Sequence, residues 1–214
     1  MIVDERLVTY INSLDKGNTA VLDQIEREAL ESYVPIIRKD MQSFLKLLLT
    51  VQKPMRILEV GTAVGFSAIL MAEYAPEGCQ VVTIENYDKR IPVARNNFKR
   101  AGKENVITLI EGDALEVLKT LEGPYDFIFM DAAKGQYPVW LPDIKALMHE
   151  ASVLLADNVL QEGTVTESRF TISRRERTTH ERMRDFLYTI KHDEQLESSV
   201  LNIGDGVSLS VRLQ

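Results

Sequence analysis

The chain has 214 residues, of which 27% are charged and 45% hydrophobic, and its formal net charge is −7. A single cysteine, Cys79, excludes an internal disulfide framework and a cysteine-based zinc site. The chain contains no uncharged apolar run of about 18 residues, and its first ten residues lack the apolar stretch of a signal peptide. We therefore expect a globular cytoplasmic protein without a membrane span, and the acidic balance argues against indiscriminate binding to nucleic acid.

The first fifty residues are predicted to be helical. Apolar residues recur there at helical spacing, first at Val3, Leu7, Val8, Ile11 and Leu14. A second apolar set runs from Phe44 to Val51 and ends before Pro54, which stops a helix. We interpret residues 1–52 as a helical extension of one domain that covers residues 1–214.

From Met55 onward, short apolar runs alternate with helical segments. The predicted strands are Arg56 to Val60, Gln80 to Ile84, Val106 to Ile110, Tyr125 to Met130 and Ser152 to Ala156. The predicted helices between them are Phe66 to Tyr74, Lys89 to Ala101, Ala114 to Leu121 and Val139 to Met148. This repetition is typical of an α/β fold with a parallel sheet covered on both faces.

The C-terminal part of the chain departs from this alternation. A charged segment from Arg169 to Asp185 continues into a predicted helix through Ile190. Two apolar runs, Ser198 to Ile203 and Val207 to Leu213, then flank a Gly-Asp-Gly sequence that is typical of a hairpin. An antiparallel C-terminal hairpin is therefore predicted to close a mostly parallel sheet.

The turn between the first strand and the first helix of the sheet, Glu59 to Ser67, is a candidate ligand loop. Gly61 and Gly65 would let the backbone turn sharply and approach a ligand, and the following helix offers free N–H groups. Ligands of open α/β sheets bind outside the carboxyl ends of the strands. The alternative interpretation is a tight turn without a ligand.

Acidic residues at three strand ends make a nucleoside ligand the better interpretation. Glu85 ends the second strand 24 residues after Gly61, where an acid accepts hydrogen bonds from ribose hydroxyls. The turn reads E-x-G-x-x-x-G rather than the dinucleotide fingerprint G-x-G-x-x-G, which disfavours a nicotinamide dehydrogenase. Glu59 could meet an ammonium group, and Asp113 after the third strand could contact an adenine edge. S-adenosylmethionine carries these chemical groups.

The next two strands also end in acids. Asp131 follows the fourth strand, and Asp157 and Asn158 follow the fifth. In a parallel sheet these side chains gather at one edge, and their oxygen ligands suit Mg²⁺ or Mn²⁺. The alternative is that Asp157 and Asn158 cap the following turn.

Lys134 lies three residues beyond Asp131 and is a candidate general base. A nearby divalent cation lowers the pKa of a lysine, and a neutral amine could take the proton of a substrate hydroxyl. The alternative is a surface lysine without a catalytic role.

With these motifs, the sequence resembles the cation-dependent O-methyltransferases related to catechol and caffeoyl-coenzyme A methyltransferases. The resemblance implies a Rossmann-like, seven-stranded fold, S-adenosylmethionine as cofactor, and a homodimer. It also implies that Glu59 meets the methionine amino group, Ser67 its carboxylate, and Glu85 the ribose. The cofactor-binding residues implied by the family are Ile36, Glu59, Gly61, Ser67, Glu85, Asp113, Ala114 and Asp131.

The same resemblance implies that Asp131, Asp157 and Asn158 hold the metal and that Asp131 and Lys134 are catalytic. Within the family, D-A-A-K-G-Q-Y from Asp131 and I-G-D-G-V from Ile203 are most similar to bacterial tRNA 5-hydroxyuridine methyltransferases. These enzymes form 5-methoxyuridine at the wobble position. The adjacent O5 and O4 of 5-hydroxyuridine can chelate one metal as a catechol does, so a small catechol-like compound is the alternative substrate. The acid that contacts the catechol hydroxyl in some relatives has no obvious match.

A cluster of arginines could contact the phosphates of an RNA substrate. Between residues 169 and 184, six arginines face two glutamates, a net +4, so the remainder of the chain carries −11. Arginine suits phosphates and stacks on unpaired bases, although such a run is also typical of a solvated helix face. An RNA-binding module without catalysis is a further alternative, disfavoured by the intact metal and lysine motifs. The candidate RNA contacts are Arg169, Arg174, Arg175 and Arg177.

Overall fold

One mixed β-sheet organises the protein. The computed structural model describes residues 5–214, so Val3 of the first predicted helix lies outside the described residues. The strands are β1 (Arg56–Val60), β2 (Gln80–Glu85), β3 (Ile107–Glu111), β4 (Tyr125–Met130), β5 (Met148–Ala156), β6 (Leu196–Leu201) and β7 (Val207–Arg212). Their order is β3-β2-β1-β4-β5-β7-β6. The first five are parallel, whereas β7 is antiparallel to both β5 and β6, which confirms the predicted fold class.

Helices precede the sheet and connect its strands. They are α1 (Glu5–Ser13), α2 (Ala20–Glu31), α3 (Lys39–Gln52), α4 (Phe66–Tyr74), α5 (Ile91–Arg100), α6 (Ala114–Val117), α7 (Tyr137–Ala146) and α8 (Arg177–His192). Short 3₁₀ turns lie at residues 118–120, 134–136 and 161–166. No helix within residues 5–214 is both long and apolar enough to cross a membrane.

Two hydrophobic cores lie on opposite faces of the sheet because successive side chains of a strand point in opposite directions. Along β4, Phe127 and Phe129 belong to the core that packs against α2–α5, and Ile128 and Met130 belong to the core that packs against α6–α8. Burial of both faces accounts for the continuous apolar runs of the inner strands. The same burial places the polar residues that follow each strand at the carboxyl edge of the sheet.

The segment before β5 corrects one prediction. The helix predicted from Val139 to Met148 instead begins at Tyr137 and ends at Ala146, and Met148 is the first residue of β5. Pro138 lies in the first helical turn, where its missing N–H costs nothing. The first part of β5 is irregular, with a register shift against β4 and a positive φ of 66° at Ala151. The first part of β5 therefore lacks an apolar pattern typical of a strand. The sequence predicts only the second part of β5, which pairs regularly with β4.

Candidate active site

Two adjoining cavities lie at the carboxyl edge of the parallel strands. The larger has a volume of about 700 Å³, and the smaller of about 280 Å³ shares Gly61 and Glu85 with it. Of the predicted site residues, the larger cavity is lined by Ile36, Gly61, Ser67, Glu85, Asp131, Lys134, Asp157 and Asn158. The smaller is lined by Gly61, Glu85, Asp113 and Ala114. The predicted residues that line neither cavity are Glu59, Arg169, Arg174, Arg175 and Arg177.

The turn from β1 to α4 packs tightly on the end of β4. Gly61 has a φ of +105°, and a Cβ at this position would lie 2.2 Å from the carbonyl oxygen of Asp131. The N–H of Asp131 also donates to the carbonyl of Val60 at 3.0 Å. Glycine is required here because any side chain would push this turn away from the end of β4. The turn and Asp131 are therefore held as one unit.

Glu59 lies beneath the cavity and is fully buried. Its carboxyl group accepts hydrogen bonds from the hydroxyls of Ser67 and Thr83. Burial raises the pKa of Glu59 to about 7 and outweighs these hydrogen bonds, with a further contribution from the nearby acids Asp131 and Glu85. A positive group placed next to this carboxyl would be strongly favoured, because no cation within residues 5–214 forms an ion pair with Glu59.

Glu85 is fixed at the end of β2 by three backbone amides. Its carboxylate accepts the N–H of Ala63 at 2.8 Å, of Asn86 at 3.0 Å and of Tyr87 at 2.9 Å. A carboxylate offers about four acceptor positions, so one remains for a ligand hydroxyl.

Asp113 caps α6 by accepting the N–H of Leu115 at 2.9 Å. This cap fixes Asp113 in the wall of the smaller cavity.

Lys134 is paired with Asp131. Its Nζ donates to Oδ1 of Asp131 at 2.6 Å and to the hydroxyl of Tyr137 at 3.2 Å. Burial by itself lowers the pKa of Lys134, but the interactions with Tyr137 and Asp131 outweigh it and raise the pKa above its usual value. In this arrangement Lys134 is an ammonium group, whereas the sequence analysis expects a neutral amine beside a cation.

Asp157 and Asn158 complete a set of oxygen donors. Asp157 is buried, and its pKa is raised to about 7 by burial first and by the Asp131 carboxylate second. The Asp131 carboxylate therefore disfavours the charge of Asp157, and a divalent cation would relieve this repulsion. Within residues 5–214, no three side chains among His, Cys, Asp and Glu are grouped to hold a metal ion. A metal here would depend on the amide oxygen of Asn158 as its third protein ligand, and the hard oxygen set fits Mg²⁺.

The structure adds residues to the cavity that the sequence analysis missed. Arg38, Glu162 and Asp205 all line it. Asp205 lies in the β6–β7 turn, and its Oδ1 accepts the N–H of Glu162 while its carbonyl accepts the N–H of Leu160 at 3.1 Å. The Gly-Asp-Gly sequence predicts the hairpin turn and contributes to the resemblance to tRNA 5-hydroxyuridine methyltransferases, but neither interpretation gives Asp205 a place in the site.

The arginine cluster divides into two groups. Arg169 forms an ion pair with Glu181 at 2.6 Å, and Arg177 donates to the carbonyl of Ile172 at 3.2 Å. The side chains of Arg174 and Arg175 are exposed and have no hydrogen-bond or ion-pair partner among residues 5–214. Contacts within the protein thus account for Arg169 and Arg177, as expected for a solvated helix face. Arg174 and Arg175 remain free to contact a ligand.

The strand order and the polar cavity at the carboxyl ends of the parallel strands define an α/β protein of the Rossmann-like class. A family model described as O-methyltransferase matches residues 12–213, and the chain belongs to this family. It is 34% identical over 132 residues to a catechol O-methyltransferase from Niastella koreensis, covering 60% of each chain. It is 37% identical over 123 residues to a catechol O-methyltransferase from Mycobacterium tuberculosis, covering 57% of this chain and 56% of that one. The matches thus span less than two thirds of these relatives.

A solved structure extends the likeness over almost the whole chain. The crystal structure of the O-methyltransferase from Bacillus cereus in complex with SAH (S-adenosylhomocysteine) has a TM-score of 0.85 and 26% sequence identity. The likeness covers 95% of this chain and 96% of that one. The fold similarity therefore includes most of the N-terminal helical part of the chain as well as the sheet.

Replacing Glu59 by Gln should remove a pH dependence of stability. The pKa of Glu59 is about 7 in the folded protein against an ordinary 4.5, so the folded state binds more protons between these pH values. The contribution of Glu59 to stability is therefore complete below about pH 4.5 and is lost as the pH rises through about 7. Relative to Glu59→Gln, the free energy of unfolding of the wild type should fall by up to about 3 kcal/mol between roughly pH 5 and pH 8.

Urea unfolding of the ligand-free protein across this pH series measures the difference. Glu104→Gln is the matched control, because Glu104 is exposed and the same substitution there should leave the pH dependence of the wild type unchanged. Parallel curves for the wild type and Glu59→Gln would contradict the raised pKa.

Proposed function

We propose that the protein is an S-adenosylmethionine- and Mg²⁺-dependent O-methyltransferase whose substrate presents two adjacent oxygens. The observation that carries the proposal is that Asp131, Lys134, Asp157 and Asn158 line the same cavity as the β1–α4 turn. Family membership and the SAH complex of the Bacillus cereus structure support the reaction class and the cofactor.

The two cavities suit the two ends of the cofactor. The adenine would lie in the smaller cavity at Asp113 and Ala114, and the ribose at Glu85, which lines both cavities. The methionine end would lie in the larger cavity against Ile36 and Ser67. There the ammonium group would approach the carboxyl of Glu59, which lies directly behind the Ser67 hydroxyl. The cofactor supplies the methyl group that is transferred.

The metal would be held by Asp131, Asp157 and Asn158. When bound, Mg²⁺ would lower the pKa of the substrate hydroxyl and would hold two substrate oxygens in fixed positions. Lys134 would take the hydroxyl proton as general base only in its neutral form, which a cation held by Asp131 would favour, since Nζ of Lys134 lies on the cavity wall 2.6 Å from Asp131. The surrounding residues would hold the substrate oxygen in line with the methyl group, and such positioning accounts for much of the rate of a transfer reaction.

Replacing Lys134 or Asp131 by Ala should abolish methyl transfer. Loss of a general base costs about 10²- to 10⁴-fold in rate, and loss of Asp131 removes both a carboxylate ligand and the partner of Lys134. The measurement is cofactor-dependent methylation with Mg²⁺ and after chelation, together with cofactor affinity by calorimetry. Lys134→Ala should still bind the cofactor, which separates loss of chemistry from loss of the fold. Near-normal turnover of Lys134→Ala would overturn the assignment of the base.

We further propose that the substrate is 5-hydroxyuridine at the wobble position of tRNA, converted to 5-methoxyuridine. The sequence motifs around Asp131 and Gly204 support this choice, as do the free side chains of Arg174 and Arg175. Phe170, in the same segment, is 83% exposed, and exposed aromatic rings stack on unpaired bases. The second candidate is a small catechol-like compound, which the similarity to two catechol O-methyltransferases favours.

The two substrates are separated by comparing methylation of tRNA that contains 5-hydroxyuridine with methylation of a simple catechol, each with and without Mg²⁺. If RNA is the substrate, the double variant Arg174→Ala/Arg175→Ala should lower kcat/KM for tRNA and leave turnover of the catechol unchanged. Loss of two phosphate contacts should also reduce the slope of log(kcat/KM) against log(salt) by roughly 1 to 2.

The control for this experiment is the double variant Lys16→Ala/Arg27→Ala, which removes the same charge from two exposed residues outside the arginine cluster. Equal losses in the two double variants would indicate a general charge effect rather than a contact. Efficient methylation of the catechol alone would favour the second candidate.

We also propose that the protein acts in the cytoplasm as a homodimer. Three apolar side chains of α1, Leu7, Tyr10 and Ile11, are more than half exposed, as is Leu14 directly after the helix, which supports an interface there. Light scattering after size exclusion should give the dimer mass for the wild type and a shift toward the monomer for Leu14→Asp. Leu213→Asp, at an exposed leucine near the other end of the chain, should leave the mass unchanged. A wild type that runs as a monomer would contradict the proposal.

A further inference from the structure

Tyr137 connects the candidate base to the two strand ends that carry acids. It is the first residue of α7 and is fully buried. Its hydroxyl accepts a hydrogen bond from Nζ of Lys134 at 3.2 Å. The same hydroxyl lies 3.0 Å from the carbonyl oxygen of Met130 and 3.2 Å from the carbonyl oxygen of Asp157 and donates toward them.

The two carbonyls place this hydroxyl at the joint between β4 and β5. Met130 is the last residue of β4 and directly precedes Asp131, and Asp157 directly follows β5. The N–H of Asp157 also donates to the carbonyl of Met130 at 2.9 Å, so the strand ends are already adjacent. The Tyr137 hydroxyl thus spans the backbone positions that set the distance between the two carboxylates.

The ring of Tyr137 is fixed independently of its hydroxyl. It packs edge-to-face on Phe186 with a centroid distance of 5.4 Å, and the ring of Trp140 lies 6.2 Å away. Nζ of Lys134 lies 5.5 Å from the centroid of the Tyr137 ring. Packing alone would be satisfied by phenylalanine. Packing does not explain the buried hydroxyl. This hydroxyl donates its one proton toward two carbonyls and accepts one hydrogen bond from Lys134.

We propose that Tyr137 is a positioning residue for methyl transfer, which holds the Lys134 side chain at Asp131 from the joint between β4 and β5. The proposal rests on the proposed function, in which Lys134 is the base. Tyr137 does not line either cavity and acts only through these neighbours. Nζ of Lys134 lies 2.6 Å from Oδ1 of Asp131, and a small shift of Nζ from this position would take it out of reach of the substrate hydroxyl. The cofactor site would stay intact.

The test is Tyr137→Phe, which keeps the ring and removes the hydroxyl. The reaction measured is Mg²⁺-dependent methylation of whichever of the two candidate substrates the wild type methylates. We expect kcat to fall tenfold or more, while KM and the affinity for S-adenosylmethionine stay within about twofold of the wild type. Tyr188→Phe is the matched control, because Tyr188 is 66% exposed and stacks on His192. It should behave as the wild type. Equal kcat in wild type and Tyr137→Phe overturns the proposal.

A double-mutant cycle with Lys134→Ala separates positioning from general damage. If Tyr137 acts through Lys134, the double variant should be no slower than Lys134→Ala alone. Additive losses overturn the proposal, as does a Tyr137→Phe protein that no longer unfolds cooperatively, since the hydroxyl would then serve stability. A wild type that methylates neither tRNA nor catechol overturns the proposed function, and this inference with it. An active wild type with an unaffected Tyr137→Phe overturns this inference alone.

Discussion

The burial of acidic side chains at one edge of the sheet is the constraint on which the site depends. Glu59 and Asp157 both have pKa values raised to about 7, in each case chiefly by burial. Burying an ionised carboxylate is costly unless a positive group accompanies it. Lys134 compensates only Asp131 directly. The proposed ligands would place an ammonium group near Glu59 and a divalent cation near Asp157, where positive charge would offset the cost of burying each carboxylate.

Backbone contacts determine where these acids lie. The β1–α4 turn packs against the carbonyl of Asp131 with no room for a side chain at Gly61. On the other side of the cavity, the N–H groups after Asn158 bond to the β6–β7 turn, which places Asp205 on the cavity wall. The antiparallel hairpin therefore does more than close the sheet, because it supplies one wall of the cavity and fixes the segment that follows Asp157.

Local sequence patterns predicted the parts of the fold in which each strand is buried regularly. β1 and β4 have the predicted bounds, since every residue of their apolar runs belongs to the sheet. Met148 was misplaced because irregular backbone interrupts the first half of β5, and no periodicity marks such a segment. Arg38, Glu162 and Asp205 were missed for a different reason. Each lies outside a strand end of the parallel sheet and reaches the cavity only through tertiary packing.

The net charge of the arginine cluster overstates its free positive charge. Arg182 donates to the carbonyl of Gly135 at 3.0 Å, and Arg184 to the carbonyl of Val165 at 3.2 Å, so these arginines join α8 to the loops that it covers. A guanidinium that donates to a backbone carbonyl has fewer donors left for a phosphate. With Arg174 and Arg175 as the free pair, an RNA would gain few phosphate contacts from this segment. Recognition of the proposed tRNA substrate would then depend mainly on the base that enters the cavity rather than on phosphate contacts.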